Sequence, residues 1–314
     1  MSKVTVIGAG NVGATIVNDL MVQGVASELL LIDINKKKAY GEAMDIYQGV
    51  PFCVPAVVRS GDYEDAVDSD VVIITSGVPR KPGMSRLDLA QTNVNIIKDI
   101  APKITAVAPN AIYLIVANPV DILTYAFIKY SGLPTRQVIG SGTILDTNRL
   151  QSELARRFCV SPKNVHAHVY GEHGDTSFVP WSLATIANNN VSIFRNSSPD
   201  GDKIPEDINY EEIEEFVRKS GAVIIENKGA TYFAVAISVC HLCKCVLNTA
   251  PTAATVSVLF NGEYGIDDVC LSALAIIDKT GCHGIIKNPL TEEEQAKLHR
   301  SADKLKEIIA GIEF

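Results

Sequence analysis

Groups able to do chemistry concentrate at three places in this sequence. The stretch Gly77-Val78-Pro79-Arg80-Lys81-Pro82-Gly83-Met84-Ser85-Arg86 carries three cations and is broken by two glycines and two prolines, a poor helix or strand and a good loop. Such a loop suits an anionic ligand, although a solvated basic loop is the plainer alternative. Asp146 and Arg149 stand three apart in a helix-like stretch, so both project from one face. His173 lies in Gly171-Glu172-His173-Gly174-Asp175. Against that helix face, a carboxylate would accept from one ring nitrogen and stabilise the imidazolium, leaving the other nitrogen as acid or base. Spacing alone does not bring the three together, and a histidine between glycines is more often simply solvated.

The elements that must position these groups are written in the hydrophobic pattern. Short apolar runs at 4–8, 29–33, 71–75 and 112–118 alternate with helix-length segments, which predicts a parallel sheet covered on both faces, a doubly wound α/β domain. Helices are expected from Val12 to Gly24 and from Leu89 to Ala108. The texture changes near residue 141. Beyond it we expect a helix from Ile144 to Phe158, a strand in NVHAHVYG, helices at 208–226 and 230–248, β-rich sequence from Ala254 to Ile277 and a charged helix at 291–311. Two domains follow, 1–141 and 142–314.

The first turn of that sheet holds Gly8-Ala9-Gly10-Asn11-Val12-Gly13, a G-x-G-x-x-G after an apolar strand and before a helix, with Asp33 closing the second strand. Gly8 permits the turn, Gly10 lets backbone approach a pyrophosphate, and Gly13 allows close packing of helix on strand. The N–H groups of Asn11 and Val12 open the helix, whose N-terminus attracts phosphate. Asp33 would accept from the adenosine ribose and repel a 2′-phosphate, which favours NAD over NADP. A tight turn with no ligand is the alternative.

Composition narrows the rest. Lys plus Arg number 28 against 36 Asp plus Glu, a formal charge of -8, the wrong sign for wrapping nucleic acid or coating an anionic membrane. No apolar run approaches the ~20 residues of a membrane span. The N-terminus runs straight into a strand pattern without a secretion signal, and seven scattered cysteines suit a reducing compartment, so a cytoplasmic location is expected. Cys240-His241-Leu242-Cys243-Lys244-Cys245 lies in an apolar helical stretch without a second ligand pair, and we expect no metal there.

Taken in order and spacing, GAGNVG with Asp33, SGVPRKPGMSR, VANPVD at 116–121, SGTILDTNR at 141–149 and GEHGD at 171–175 closely resemble the L-lactate and malate dehydrogenases. The resemblance runs along essentially the whole chain. It implies a Rossmann domain followed by an α/β substrate domain, NAD as hydride carrier, a small 2-hydroxy or 2-oxo acid as substrate, and a homodimer or homotetramer. Carried over motif by motif, His173 is the proton donor and acceptor and Asp146 its partner. Arg149 clamps the substrate carboxylate and Arg86 closes over the site to polarise the carbonyl. Asn118 bonds near the reacting oxygen and the nicotinamide ribose, Thr231 lines the pocket wall, and Gly77 joins the cofactor contacts.

Within the family, the loop position occupied here by Arg80 is Gln in typical lactate enzymes and Arg in malate enzymes. Arg80 acts on the group that distinguishes oxaloacetate from pyruvate, so malate is the expected substrate, with lactate the alternative. SGTILDTNR, GEHGDTSFVPWS and Thr231 lean towards lactate, since malate enzymes typically read GGHGD. Bacterial lactate enzymes also use an Arg and a His for an activating fructose bisphosphate. Gln151 and His166 stand in those places, so weak or absent activation is expected. An NAD-dependent glycoside hydrolase on this fold is a remote alternative, set aside because Ala117 replaces the cysteine such an enzyme would need. A cofactor-binding protein without turnover is equally remote.

Overall fold

The computed structural model describes residues 2–79, 83, 85–194, 208–248 and 250–314. Runs of Val, Ile and Leu without alternating polar residues need cover on both faces, and they form the centre of a parallel sheet. Strands β1 (Lys3–Ile7), β2 (Glu28–Ile32), β3 (Val57–Ser60), β4 (Val71–Ile74), β5 (Ile112–Ile115) and β6 (Val138–Gly140) pair in parallel in the order β3-β2-β1-β4-β5-β6. Every residue of β4 and β5 is buried. The order reverses beside β1, and in an open α/β sheet ligands bind outside the carboxyl ends of the strands at that point.

Helices α1 (Asn11–Val22), α2 (Lys36–Tyr47), α3 (Arg86–Val107) and α4 (Val120–Ser131) cover the sheet. The first and third start within three residues of the expected positions. α3 is nucleated by a capping box in which Ser85 and Asp88 exchange hydrogen bonds with each other's backbone N–H. α2 and β3 were not expected from the pattern: α2 buries only Ala39 and Ala43, and β3 is an edge strand with one buried residue.

The second half contributes α5 (Ile144–Arg157), α6 (Tyr210–Lys228), α7 (Phe233–Leu247) and α8 (Glu292–Ala310). The segment NVHAHVYG is strand only at β7 (Val165–His166), with isolated bridges at Tyr170 and Gly171. With β8 (Thr185–Ile186) and β9 (Asn189–Asn190) it makes a small three-stranded sheet. The β-rich stretch forms an antiparallel meander, β10 (Thr252–Asn261), β11 (Asp267–Asp278) and β12 (Gly281–Ile285). Ser257 of β10 pairs with Gly140 of β6, so one nine-stranded sheet runs from β12 to β3 through both halves of the chain. No helix among the described residues is long and apolar enough to cross a membrane.

Candidate active site

The turn after β1 has the geometry that its glycines dictate. Gly8 has φ +114°, and a Cβ there would lie 2.5 Å from Thr75 Oγ1. A Cβ on Gly13 would come 1.8 Å from the Gly8 carbonyl oxygen, so only glycine lets α1 pack this closely on the turn. A Cβ on Gly10 would meet nothing within 4 Å, which leaves open space before the helix N-terminus. No side chain caps α1. Asn11 is exposed and Val12 half-buried at that end. Asp33, one residue beyond β2, accepts from Ala9 N at 2.6 Å and Asn35 N at 2.7 Å. An uncapped helix start facing free space, with a carboxylate tied to the turn beside it, could hold a pyrophosphate and a ribose diol.

A second turn gathers at Asn93 of α3, which is buried. Its Oδ1 accepts from Val78 N at 2.8 Å, while its Nδ2 donates to Asn118 O at 2.7 Å and to Val78 O at 3.2 Å. The loops following β4 and β5 are thereby held together, and Gly77 packs against Asn93 and Ala117. The Asn118 side chain is exposed on this loop and has no partner among the described residues. Sequence reading did not find Asn93; a buried Asn amid the apolar positions of α3 is its only signature.

His173 is brought to α5 by a row of hydroxyls. Thr143 Oγ1 donates to Val169 O at 2.5 Å, Val169 N donates to Thr147 Oγ1 at 3.0 Å, and Ser272 Oγ accepts from Thr143 N. The segment approaching His173 is thus stitched along the start of α5, and His173 Nδ1 donates to Asp146 Oδ2 at 2.5 Å. Asp146 Oδ1 accepts from Arg149 at 2.9 Å. The histidine side chain is a quarter exposed, whereas that of Asp146 is 7% exposed.

The electrostatics follow from this packing. The charge of Asp146 raises the His173 pKa to about 9; burial opposes the shift, and the Asp146 hydrogen bond and the charge of Asp121 support it. Burial works against ionisation of Asp146, but His173 and Arg149 outweigh it and hold the carboxyl below its usual range. With Nδ1 engaged, Nε2 is the nitrogen left to exchange a proton.

Arg86 opens α3, its guanidinium forked between Glu172 Oε1 at 2.9 Å and Asp175 Oδ2 at 3.0 Å. Glu172 is buried, also accepts from Thr176 Oγ1, and is fixed through its backbone N–H to Ser301 of α8. Arg86 thus stands beside the residue preceding His173. Arg149 faces α6, where a Cβ on Gly221 would lie 3.5 Å from its guanidinium. Thr231, half-buried between α6 and α7, makes no hydrogen bond to this cluster among the described residues. Arg80 lies outside the described residues. Cys240, Cys243 and Cys245 are buried in α7, and no group of three or more metal-ligating side chains occurs among the described residues.

Comparison with known proteins covers both halves. A family model described as lactate/malate dehydrogenase, NAD binding domain, matches residues 2–140, and one for the lactate/malate dehydrogenase alpha/beta C-terminal domain matches 143–313. The L-lactate dehydrogenase of Clostridium perfringens is 44% identical over 316 aligned positions, covering 100% of this chain and 98% of its own length. L-lactate dehydrogenase 1 of Clostridium acetobutylicum is 45% identical over 311 positions, covering 99% and 98%. Among solved structures, the minor L-lactate dehydrogenase of Enterococcus mundtii in a ligand-bound form superposes with a TM-score of 0.94 at 37% identity, covering 100% of this chain and 99% of that one.

Proposed function

Because the chain belongs to the lactate/malate dehydrogenase family, an NAD-dependent 2-hydroxy acid dehydrogenase acting on a CH–OH donor, we propose that its reaction is the interconversion of pyruvate and L-lactate. The observation that carries this reading is the end-to-end identity with L-lactate dehydrogenases. The pairing of Arg86 with Glu172 supports it, because Glu172 stands where malate enzymes typically have glycine. A second reading, oxaloacetate and malate, is favoured by Arg80, a cation suited to a second substrate carboxylate. Initial rates of NADH oxidation on pyruvate and on oxaloacetate distinguish the two. A higher kcat/KM on pyruvate is expected, and an oxaloacetate preference that inverts in Arg80→Gln would establish the malate reading.

The residues fit NAD: open space at Gly10, the uncapped start of α1 and the tethered Asp33 suit its pyrophosphate and ribose. NAD, when bound, supplies or accepts the hydride. Arg149 binds the substrate carboxylate through its planar fork of donors. Arg86 exchanges its carboxylate partners for the reacting carbonyl oxygen and stabilises the charge growing there. His173 Nε2 delivers a proton to that oxygen in reduction and takes it back in oxidation, while Asp146 holds the tautomer. Asn118 bonds at the same oxygen from the loop braced by Asn93. In this reading residues 1–141 serve the cofactor and 142–314 the substrate.

Assembly is part of the proposal. Tyr40, Met44 and Tyr47 of α2 and Phe233 and Ile237 of α7 are 47–62% exposed, and α1 packs against both helices. We assign this flank to contact with a second copy of the chain. Activity in the cytoplasm remains the expected setting.

A further inference from the structure

His173 is gripped from two sides. Besides the imidazole bond to Asp146, its backbone N–H donates to Asp121 Oδ2 at 2.8 Å. Ser257 Oγ of β10 donates to Asp121 Oδ1 at 2.6 Å. Asp121 occupies the first turn of α4, three positions after Asn118, and is 3% exposed. One carboxylate therefore joins the loop that carries Asn118, the central sheet and the backbone of the histidine.

Burial pushes the Asp121 carboxyl up to about 6, with the bonds from Ser257 and His173 acting the other way. A carboxyl raised above its unfolded value contributes stability while protonated and loses it as pH rises through about 6, so at neutral pH this charge costs stability. An asparagine could accept from His173 N–H and donate to Ser257 Oγ, satisfying the same two bonds without charge. What asparagine cannot do is act on the imidazole through a negative charge.

We propose that Asp121 is a positioning residue for His173, tying the histidine's backbone to the Asn118 loop and using its negative charge to favour the imidazolium. The proposal rests on the reading of His173 as the acid/base group. The charged and titratable groups around the pair come from each packed element. Asp146 and Arg149 face His173 from α5, Glu172 precedes it on its own loop, and Cys270 of β11 faces Asp121. Asp146 and Asp121 favour the protonated ring, while burial and Arg149 oppose it.

The test is the pH profile of kcat/KM for NADH-dependent reduction, with whichever of pyruvate or oxaloacetate is the better substrate, in unmodified protein, Asp121→Asn and His173→Asn. Reduction needs the protonated ring, so activity falls as pH rises through the histidine pKa. Removing the Asp121 charge should bring that fall about half to one pH unit lower, with a melting temperature at neutral pH equal to or above the parent's. A profile superimposable on the parent's overturns the proposal and leaves the His173 reading intact. A His173→Asn protein that retains pH-dependent turnover removes the reading and the proposal together. Should Asp121→Asn fail to fold, the unmodified protein labelled with 13C-histidine carries the test. The His173 Cε1 resonance should show a main step near 9 and a lesser one near 6, as Asp121 loses its charge. A single step overturns the proposal.

Discussion

In the proposed function Arg149 binds substrate and His173 transfers the proton, and their environments make that division testable. The Arg149 guanidinium is pre-set by Asp146, and in the proposed function its planar fork meets the substrate carboxylate. Arg149→Lys keeps the charge and loses the fork, a change of about 1.5 to 3 kcal/mol for a charge-assisted pair. KM for the oxo acid should rise roughly ten- to a hundredfold in steady-state assays, with a smaller change in kcat. For His173 the sign follows from its raised pKa: reduction is supported below about 9 and declines above it, whereas oxidation needs the neutral ring and gains with pH. Rate profiles in the two directions should cross accordingly. The residue types of this cluster were legible in the sequence, because Asp146 and Arg149 share a helix face. Their meeting with His173 was not, since it depends on Thr143 and Thr147 stitching a distant segment to α5. Asp121 and Glu172 stood inside recognised motifs, but nothing in spacing shows that a carboxylate will be buried against a backbone amide or an arginine.

Tight packing of turn on helix is the main demand on the cofactor half. At Gly13 a methyl group would sit 1.8 Å from a carbonyl oxygen, so backbone must move to admit it. Gly13→Ala should weaken NADH binding at least tenfold by fluorescence titration and lower the melting temperature, because overpacking costs roughly 1 to 3 kcal/mol. Asn93→Ala tests the second loop pair. It leaves Val78 N–H without its acceptor, a loss of about 1 to 3 kcal/mol that calorimetry should register as a fall of several degrees. Elements with strong periodicity were readable: the apolar runs became β1, β2, β4 and β5, and the G-x-G-x-x-G opened α1. Elements with thin apolar faces were not. β6 is only three residues long, and α2 exposes nearly everything but two alanines. NVHAHVYG has the composition of a strand, yet only Val165–His166 forms one; Tyr170 and Gly171 make isolated bridges, and Val169 is held by the hydroxyls of Thr143 and Thr147.

The two halves of the molecule share one sheet, joined at the Ser257–Gly140 pair, and His173, the proposed acid/base group, is held by both. Asp121 reaches it from the first half and Asp146 from the second. A texture change near residue 141 was visible in the sequence, but the continuity of the sheet was not, because antiparallel pairing to β6 involves a single residue pair. The apolar flank of α2 and α7 predicts assembly: light scattering should give at least twice the mass of one chain, and a charged residue in place of Ile237 should shift the population towards monomer. A monomeric parent would contradict that assignment. The most direct test of the whole account is the rate of NADH oxidation with pyruvate and with oxaloacetate, measured across pH for the unmodified protein and for His173→Asn. Turnover should fall as pH rises through about 9, and the variant should bind NADH normally but lose roughly two to four decades of rate along with that dependence. Turnover in the variant close to the parent's, with the same pH profile, would contradict it.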